Sequence, residues 1–149
     1  MQMGKDKLFE SKITVHTDGG SRGNPGPAAI GVVIGGKEYG EYLGVKTNNQ
    51  AEYQAVVFAF KKMKQILGKK KTKETEVIFK LDSELVVKQI NGQYKILEPD
   101  LQPLFLEIWN ARLDFKKVEF SHVPREENKI ADKIVNHILD KEKRTSYQN

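Results

Sequence analysis

The alternation of apolar and polar residues predicts five β-strands. The first is residues 12–17, where Ile13 and Val15 alternate with polar neighbours. A continuous apolar run at 28–34 ends at Gly35-Gly36, which has the composition of a two-residue hairpin turn, so 37–45 is predicted as the third strand. These three strands should form an antiparallel meander. Two later short runs, Glu76–Leu81 and Lys117–His122, are predicted as the remaining strands.

A change to helical periodicity after Thr47 predicts a helix of about twenty residues. Its inward face is predicted to carry Glu52, Val56, Ala59, Met63 and Ile66. Gly68 should close this helix, and residues 69–73, which include four lysines, should form an exposed basic connection.

Three more helices are predicted downstream. They occupy residues 83–91, a segment that begins near Pro99, and residues 128–140. The second should bury Leu101, Leu104, Phe105, Ile108 and Phe115, and the third Ala131, Ile134, Val135 and Ile138.

The resulting order, βββαβααβα, is typical of an α/β fold with a mixed five-stranded sheet and helices on its faces. Hairpin-joined strands run antiparallel, whereas strands joined through helices should run parallel to the first. The chain of 149 residues has the length of one domain and no recognisable linker, so we expect a single domain over 1–149. Residues 1–11 and 142–149 are predicted to be frayed tails.

Composition narrows the possible functions. With 38% hydrophobic and 30% charged residues, the chain has the composition of a globular protein, and no apolar run approaches the ~20 residues of a membrane span. The lack of cysteine excludes disulfides, thiolate zinc sites and a cysteine nucleophile, and it is consistent with the cytoplasmic location that we expect. A net charge of +5 suggests a polyanionic partner.

Four acidic residues are predicted to converge on one edge of the sheet. Asp18 and Asp82 end strands that should be parallel neighbours, and ligands bind at the carboxyl edge of such sheets. Glu52 heads the apolar face of the long helix, and Asp132 lies one turn into the last helix. Considered singly, three of these acids have an alternative structural role. Glu52 is three residues after Asn49, as in a capping box, Asp82 could cap the next helix, and Asp18 could belong to a turn.

The electrostatic cost of such a cluster indicates that it binds metal. Two carboxylates ~4 Å apart repel by ~1 kcal/mol in water and by ~4 kcal/mol at an effective dielectric of 20. Bound cations would remove this repulsion, as would protonation of some of the acids. A purely oxygen donor set suits Mg²⁺ or Mn²⁺. Two such ions ~3.5–4 Å apart are a common arrangement for displacement at phosphorus.

Four motifs in the chain resemble the successive signatures of type 1 ribonuclease H. They are Asp18-Gly-Gly-Ser-Arg-Gly-Asn-Pro-Gly-Pro27, Thr47-Asn-Asn-Gln-Ala-Glu-Tyr53, Leu81-Asp-Ser-Glu84 and His122-Val-Pro-Arg-Glu-Glu-Asn-Lys-Ile-Ala-Asp132. The resemblance extends over roughly residues 13–140. Only eight residues, 92–99, separate two of the predicted helices, so the chain resembles a variant without the extra basic helix of many members.

The resemblance implies a catalytic centre for cleaving the RNA strand of an RNA·DNA hybrid, leaving 5′-phosphate and 3′-hydroxyl ends. It makes Asp18, Glu52, Asp82 and Asp132 the ligands of two Mg²⁺ ions, for which Mn²⁺ could substitute, with Asp18 bridging them. It also implies that His122 assists turnover, with Arg125 as a rival for that role. No protein partner is implied, and the expected state is a monomer.

Substrate contacts follow from the same resemblance. The expected hybrid-binding residues are Gly19, Asn24, Thr47, Asn48, Asn49 and Gln50. Because the extra basic helix is missing, Lys95 in segment 92–99 is expected to supply part of the affinity instead. The lysines of 69–73 could also contribute affinity, although a solvated lysine run is an ordinary feature of protein surfaces.

Two other functions are compatible with such a fold. One is a nucleic-acid-binding module without activity, but the presence of all four acids argues against it. The other is a related nuclease or recombinase that acts on DNA. The Gly23-Asn-Pro-Gly-Pro27 loop and the Thr-Asn-Asn before residue 50 argue against that function.

Overall fold

A five-stranded mixed sheet forms the centre of the computed structural model, which describes residues 11–148 and the side chains of 11–145. The strands are β1 (Lys12–Ser21), β2 (Gly26–Ile34), β3 (Lys37–Lys46), β4 (Glu76–Leu81) and β5 (Lys117–His122). Their order is β3-β2-β1-β4-β5. β2 is antiparallel to β1 and β3, whereas β4 is parallel to β1 and β5 to β4. The predicted fold class is therefore confirmed.

Four α-helices and one short 3-10 helix connect or follow the strands. They are α1 (Asn48–Lys73), α2 (Glu84–Ile90), α3 (Gln102–Arg112), the 3-10 helix (Arg125–Asn128) and α4 (Lys129–Gln148). α4 is helical up to Gln148, beyond the predicted end at Asp140. The predicted tail at residues 1–10 and at 149 lies outside the described residues.

Two predicted ends needed correction. β1 does not end at Asp18, because Gly19, Gly20 and Ser21 continue to pair with β2. Gly68 bends α1 with φ +78° and ψ 168°, but the helix resumes after it. Residues 69–73 are therefore a last helical turn and not a connection outside the helix, although their four lysines are exposed as predicted.

The sheet is covered on both faces. Val15, Val32 and Phe79 lie in the larger core, which also contains Val56, Phe60 and Met63 of α1. On the other face, α4 packs Val135 and Leu139 against Ala29 of β2. A Cβ at Gly31 would lie 2.2 Å from the carbonyl oxygen of Ala131, so this glycine allows α4 to lie directly on β2. Burial of Ile66 was predicted wrongly, since it is 55% exposed.

Within residues 11–148, no helix combines the length and the apolar character needed to cross a membrane.

Candidate functional site

The sheet brings Asp18 and Asp82 to the same edge. Asp18 lies in β1 opposite Gly31 of β2, and Asp82 directly follows Leu81, the last residue of β4. Because β1 and β4 are adjacent and parallel, both carboxylates lie near the carboxyl end of the sheet. Glu52 lies in the second turn of α1, and Asp132 lies in the first turn of α4. The convergence expected from the sequence is thus present.

Three of the carboxylates form a tight cluster. One oxygen each of Asp18, Glu52 and Asp82 lies within 4.8 Å of the other two. Asp18 is 9% exposed and Glu52 is 5% exposed. Glu52 Oε1 accepts a 2.7 Å hydrogen bond from the backbone N–H of Gly19, the residue after Asp18. This bond fixes α1 against β1 and holds the carboxylate of Glu52 beside that of Asp18.

A glycine is required at position 19 for this contact. A Cβ there would lie 2.2 Å from the carbonyl carbon and oxygen of Ala51 and 2.5 Å from the nitrogen of Glu52. At Gly20 a Cβ would meet Val135 Cγ1 at 3.5 Å, an ordinary contact. The two adjacent glycines therefore face different helices, and only Gly19 is in a place where no side chain fits.

Burial and mutual repulsion make this cluster difficult to ionise. The pKa of Asp18 is raised to about 7, mainly by burial. The charges of Asp82 and Asp132 add to this shift, whereas the hydrogen bonds with Glu52 and with the Gly19 N–H oppose it. Burial, followed by the charge of Asp18, raises the pKa of Glu52 well above its usual range. The pKa of Asp82 is also raised by burial, although Arg125 opposes this shift. A cluster with this electrostatic strain and only oxygen donors fits a hard divalent cation.

Asp132 completes the site from the opposite face of the sheet. It is outside the tight group of three, yet its charge raises the pKa of both Asp18 and Asp82. Arg125 Nη2 lies 3.6 Å from Asp132 Oδ1, with the arginine side chain 78% exposed and the aspartate 31% exposed. All four acids line one open cleft of about 410 Å³. The other lining residues are Gly19, Gly20, Ser21, Arg22, Asn48, Ser83, Arg125, Val135, Asn136 and Leu139.

Helix capping, the alternative role considered for two of the acids, is performed by other residues. Thr47 is the N-cap of α1: its Oγ1 accepts from the N–H of Gln50 at 3.1 Å, and its own N–H donates to Gln50 Oε1 at 2.8 Å. The proposed Asn49–Glu52 capping box is therefore wrong. Ser83, and not Asp82, caps α2 by accepting from the N–H of Val86 at 3.3 Å. Neither Glu52 nor Asp82 is needed as a cap.

The predicted hybrid-binding residues fall into two groups. Asn24 Oδ1 accepts from the N–H of Asn48 at 3.0 Å, and Asn48 Oδ1 accepts from the N–H of Ser21 at 3.2 Å. These bonds tie the β1–β2 loop to the start of α1 beside the cleft. Asn49 Nδ2 donates to Glu98 Oε1 at 3.4 Å.

The residues of the second group either make hydrogen bonds that cap α1 or lie away from the acids. The side chains of Thr47 and Gln50 are occupied in capping α1. Lys95 lies exposed in the segment between α2 and α3 and does not line the cleft.

The two candidates for assisting turnover lie at different depths in the site. His122 is exposed at the end of β5 and pairs with Leu81, next to Asp82. Its positive charge would lower the pKa of Asp82, as does that of Arg125, which has the larger effect. Arg125 also lines the cleft and contacts Asp132. The structure therefore brings Arg125 closer to the acids than His122.

Sequence reasoning missed two groups that hold the site together. Asn128 is 1% exposed, and its Nδ2 donates to the carbonyl oxygen of Thr17 at 2.9 Å, which ties the start of α4 to β1. Arg22 Nη2 lies 2.7 Å from Asp140 Oδ1 and 3.4 Å from Asn136 Oδ1, which ties the β1–β2 loop to α4. Asn128 carried a signal, since a polar residue directly before a helix often has a structural role. The partners of Arg22 are more than 100 residues away, so nothing local indicated them.

Fold and site together define an α/β protein with a cluster of buried and half-buried carboxylates at the carboxyl edge of its central strands. A reverse transcriptase-like family model matches residues 16–138. LC11-RNase H1, isolated from compost and solved in complex with an RNA/DNA hybrid, is 43% identical, with a TM-score of 0.80 over 87% of this chain and 97% of that one. RNase H1 from the halophilic archaeon Halobacterium salinarum is 36% identical, with a TM-score of 0.78 over 87% of this chain and 98% of that one. The chain therefore belongs to the type 1 ribonuclease H family.

A longer relative shares only part of its length with this chain. A bifunctional protein of Mycobacterium tuberculosis is 34% identical over 136 residues, which are 87% of this chain and 36% of that protein. The chain thus spans about a third of this curated relative.

Proposed function

We propose that this protein is a divalent-metal-dependent ribonuclease H that hydrolyses the RNA strand of RNA·DNA hybrids. The observation that carries the proposal is the cluster of Asp18, Glu52 and Asp82, with Asp132 in the same cleft. The raised pKa values of Asp18 and Glu52 show that their ionised carboxylates are unfavourable without a compensating cation. All donor atoms of the cluster are oxygens, which suits a hard divalent cation. The similarity to LC11-RNase H1, which was solved with an RNA/DNA hybrid, supports this substrate class.

The four acids would hold two Mg²⁺ ions, with Mn²⁺ as a possible substitute. When bound, such ions supply a water of lowered pKa and neutralise the charge that develops on the phosphate. The backbone N–H of Gly19 keeps Glu52 beside Asp18, while Arg125 limits the repulsion between Asp82 and Asp132. Water would add to phosphorus and the bond from phosphorus to the 3′-oxygen would break, leaving 5′-phosphate and 3′-hydroxyl ends.

Substrate recognition would use the polar rim of the cleft. Asn48 and Asn49, at the start of α1, would contact the two strands through the minor groove, where 2′-hydroxyls distinguish RNA from DNA. Asn24, which is hydrogen-bonded to the N–H of Asn48, would contact the nucleic-acid backbone. Gly19 would act mainly through the packing of α1, and Thr47 and Gln50 through its cap. Lys95 would contact backbone phosphates outside the cleft. We also propose a monomeric, cytoplasmic enzyme.

Strand-specific cleavage tests this function. A hybrid labelled at the 5′ end of its RNA strand should be cut in the presence of Mg²⁺, whereas the labelled DNA strand stays intact. Asp18→Asn should abolish cleavage, and Asp100→Asn, which removes an exposed acid outside the cleft, should not. Intact RNA after incubation with folded wild-type protein would refute the proposal.

The same assay separates the two alternative functions. Duplex DNA and double-stranded RNA of the same sequence serve as competing substrates. Preferred cleavage of duplex DNA would indicate a DNA nuclease of related fold. Tight hybrid binding without any cleavage would indicate a binding module.

A further inference from the structure

The net positive charge of the protein is concentrated where β1, β4 and β5 begin, at the opposite ends of these strands from the acids. The segments 11–12, 69–76 and 114–117 meet there, since the N–H of Glu76 donates to the carbonyl of Ser11 at 2.6 Å and the N–H of Lys116 to that of Thr75 at 3.0 Å. These segments contain seven lysines and three acids, a net charge of +4 against +5 for the whole chain. The cationic character noted in the sequence is therefore a local property of this edge.

Most of these lysines have no acidic partner. Lys117 pairs with Glu119, and Asp114 pairs with Lys64. Among residues 11–145, no ion pair involves the remaining lysines, and all of them are exposed. We call these six the amino-edge surface: Lys12, Lys69, Lys70, Lys71, Lys73 and Lys116. Like charges gathered without partners favour an anionic ligand.

The lysines of α1 are held on a rigid turn. Gly68 bends the helix, and Thr72 Oγ1 then donates to the Gly68 carbonyl at 2.6 Å. Thr75 Oγ1 donates to the Lys71 carbonyl at 2.7 Å and is fully buried. The bend leaves a cavity of about 510 Å³ whose charged lining residues are Lys69, Lys70, Lys71 and one acid, Glu74. Interaction with the helix dipole accounts for cations in a last turn, but it does not account for the lysines that β1 and the segment before β5 bring to the same place.

The amino-edge surface is remote from the cleft. Sixteen residues of α1 separate Glu52 from Gly68, which corresponds to ~24 Å at 1.5 Å per residue. This is about seven steps of a duplex at ~3.4 Å each. A short hybrid in the cleft would therefore leave these lysines free.

We propose that the amino-edge surface binds the phosphate backbone of nucleic acid independently of the acid cleft. Its ligand is a second nucleic-acid molecule, because a stiff duplex seated in the cleft would not bend round to the opposite edge of the sheet. The lysines would contact phosphates as point charges, so binding would show no sequence preference and would weaken with salt.

A triple variant, Lys69→Gln/Lys70→Gln/Lys71→Gln, tests the proposal. Its control, Lys37→Gln/Lys61→Gln/Lys141→Gln, removes the same charge from exposed lysines outside the surface. Binding of a fluorescent 36-base-pair hybrid is measured by anisotropy at several concentrations of monovalent salt. EDTA is present throughout, so that no divalent cation occupies the acid cleft. Each lost phosphate contact lowers the slope of log K against log salt by ~0.9, so the triple variant should lose between two and three units of slope. At low salt it should bind at least tenfold more weakly, and the control should resemble the wild type.

Three outcomes separate this inference from the proposed activity. Equal slopes for the triple variant and its control would overturn the inference, even if the protein cleaves hybrids. A wild type that binds through these lysines but does not cleave would overturn the activity and not the inference. Loss of binding to vesicles containing phosphatidylserine, with hybrid binding unchanged, would assign the surface to a membrane and overturn the inference.

Discussion

Gly19→Ala should disrupt the site through packing and not through chemistry. The new Cβ would lie 2.2 Å from the Ala51 carbonyl, so α1 would have to move away from β1. Overpacking of this kind costs about 1–3 kcal/mol, and loss of the hydrogen bond from the Gly19 N–H to the buried Glu52 carboxylate costs about 1.5–3 kcal/mol. The free energy of unfolding should therefore fall by ~2.5–6 kcal/mol, or ~5–24 °C in Tm at ~2–4 °C per kcal/mol.

The adjacent glycine provides a matched control. Gly20→Ala places its Cβ 3.5 Å from Val135 Cγ1 and 3.8 Å from Asn48 Oδ1, where it fits without displacing backbone. Its stability should change by less than ~1 kcal/mol. Thermal and urea unfolding of both variants, with Mg²⁺ titration of the folded proteins, measures the difference. Equal stability and equal Mg²⁺ response of the two variants would refute the close approach of α1 as the reason for glycine at position 19.

Three further predictions concern the acids of the cleft and the two residues, His122 and Arg125, that are candidates for assisting turnover. The pKa of Asp18 is about 7 in the folded protein against an ordinary 3.8, so the folded state holds the extra proton between these values and metal-free stability should fall as pH rises from ~4 to ~7. Asp18→Asn should remove that loss and melt higher than the wild type at pH 8 in EDTA, with a smaller difference at pH 4.5; a pH-independent difference would contradict this. Mg²⁺ should raise the wild-type Tm by preferential binding to the folded state, and the Asp82→Asn protein should gain less; an equal gain would argue against a shared metal site. Turnover should fall in His122→Ala or in Arg125→Ala, and a larger loss from Arg125→Ala would exclude His122 as the main assisting residue.

Elements with strong periodicity were predictable, and their ends were less so. The strands Glu76–Leu81 and Lys117–His122 have the predicted bounds, because each is a short run whose side chains alternate between core and solvent. Gly68 was interpreted as a helix end, as a glycine with positive φ usually indicates. The helix nevertheless resumes for one more turn, and the hydroxyls of Thr72 and Thr75 donate to the carbonyls of Gly68 and Lys71.

The candidate site was predictable as a set of residues but not as an arrangement. Four acids at element ends were visible in the chain, and the order of strands implied that two of them meet. That Thr47 and Ser83 cap the helices, leaving Glu52 and Asp82 for other roles, was not predictable, since several nearby residues could serve as caps.

Local periodicity and residue type are enough to predict the elements, the fold class and the identity of the four acids. Tertiary structure decided how the charges are distributed. It places the carboxylate of Glu52 against the Gly19 N–H, where burial raises the pKa values of Glu52 and Asp18. It also gathers lysines from β1, α1 and the segment before β5 at the opposite edge of the sheet. Burial and the distances between charges arise only when distant segments pack together. The net charge of +5 is therefore the sum of an acidic cleft and a basic edge, and a count of charged residues alone does not distinguish these two regions.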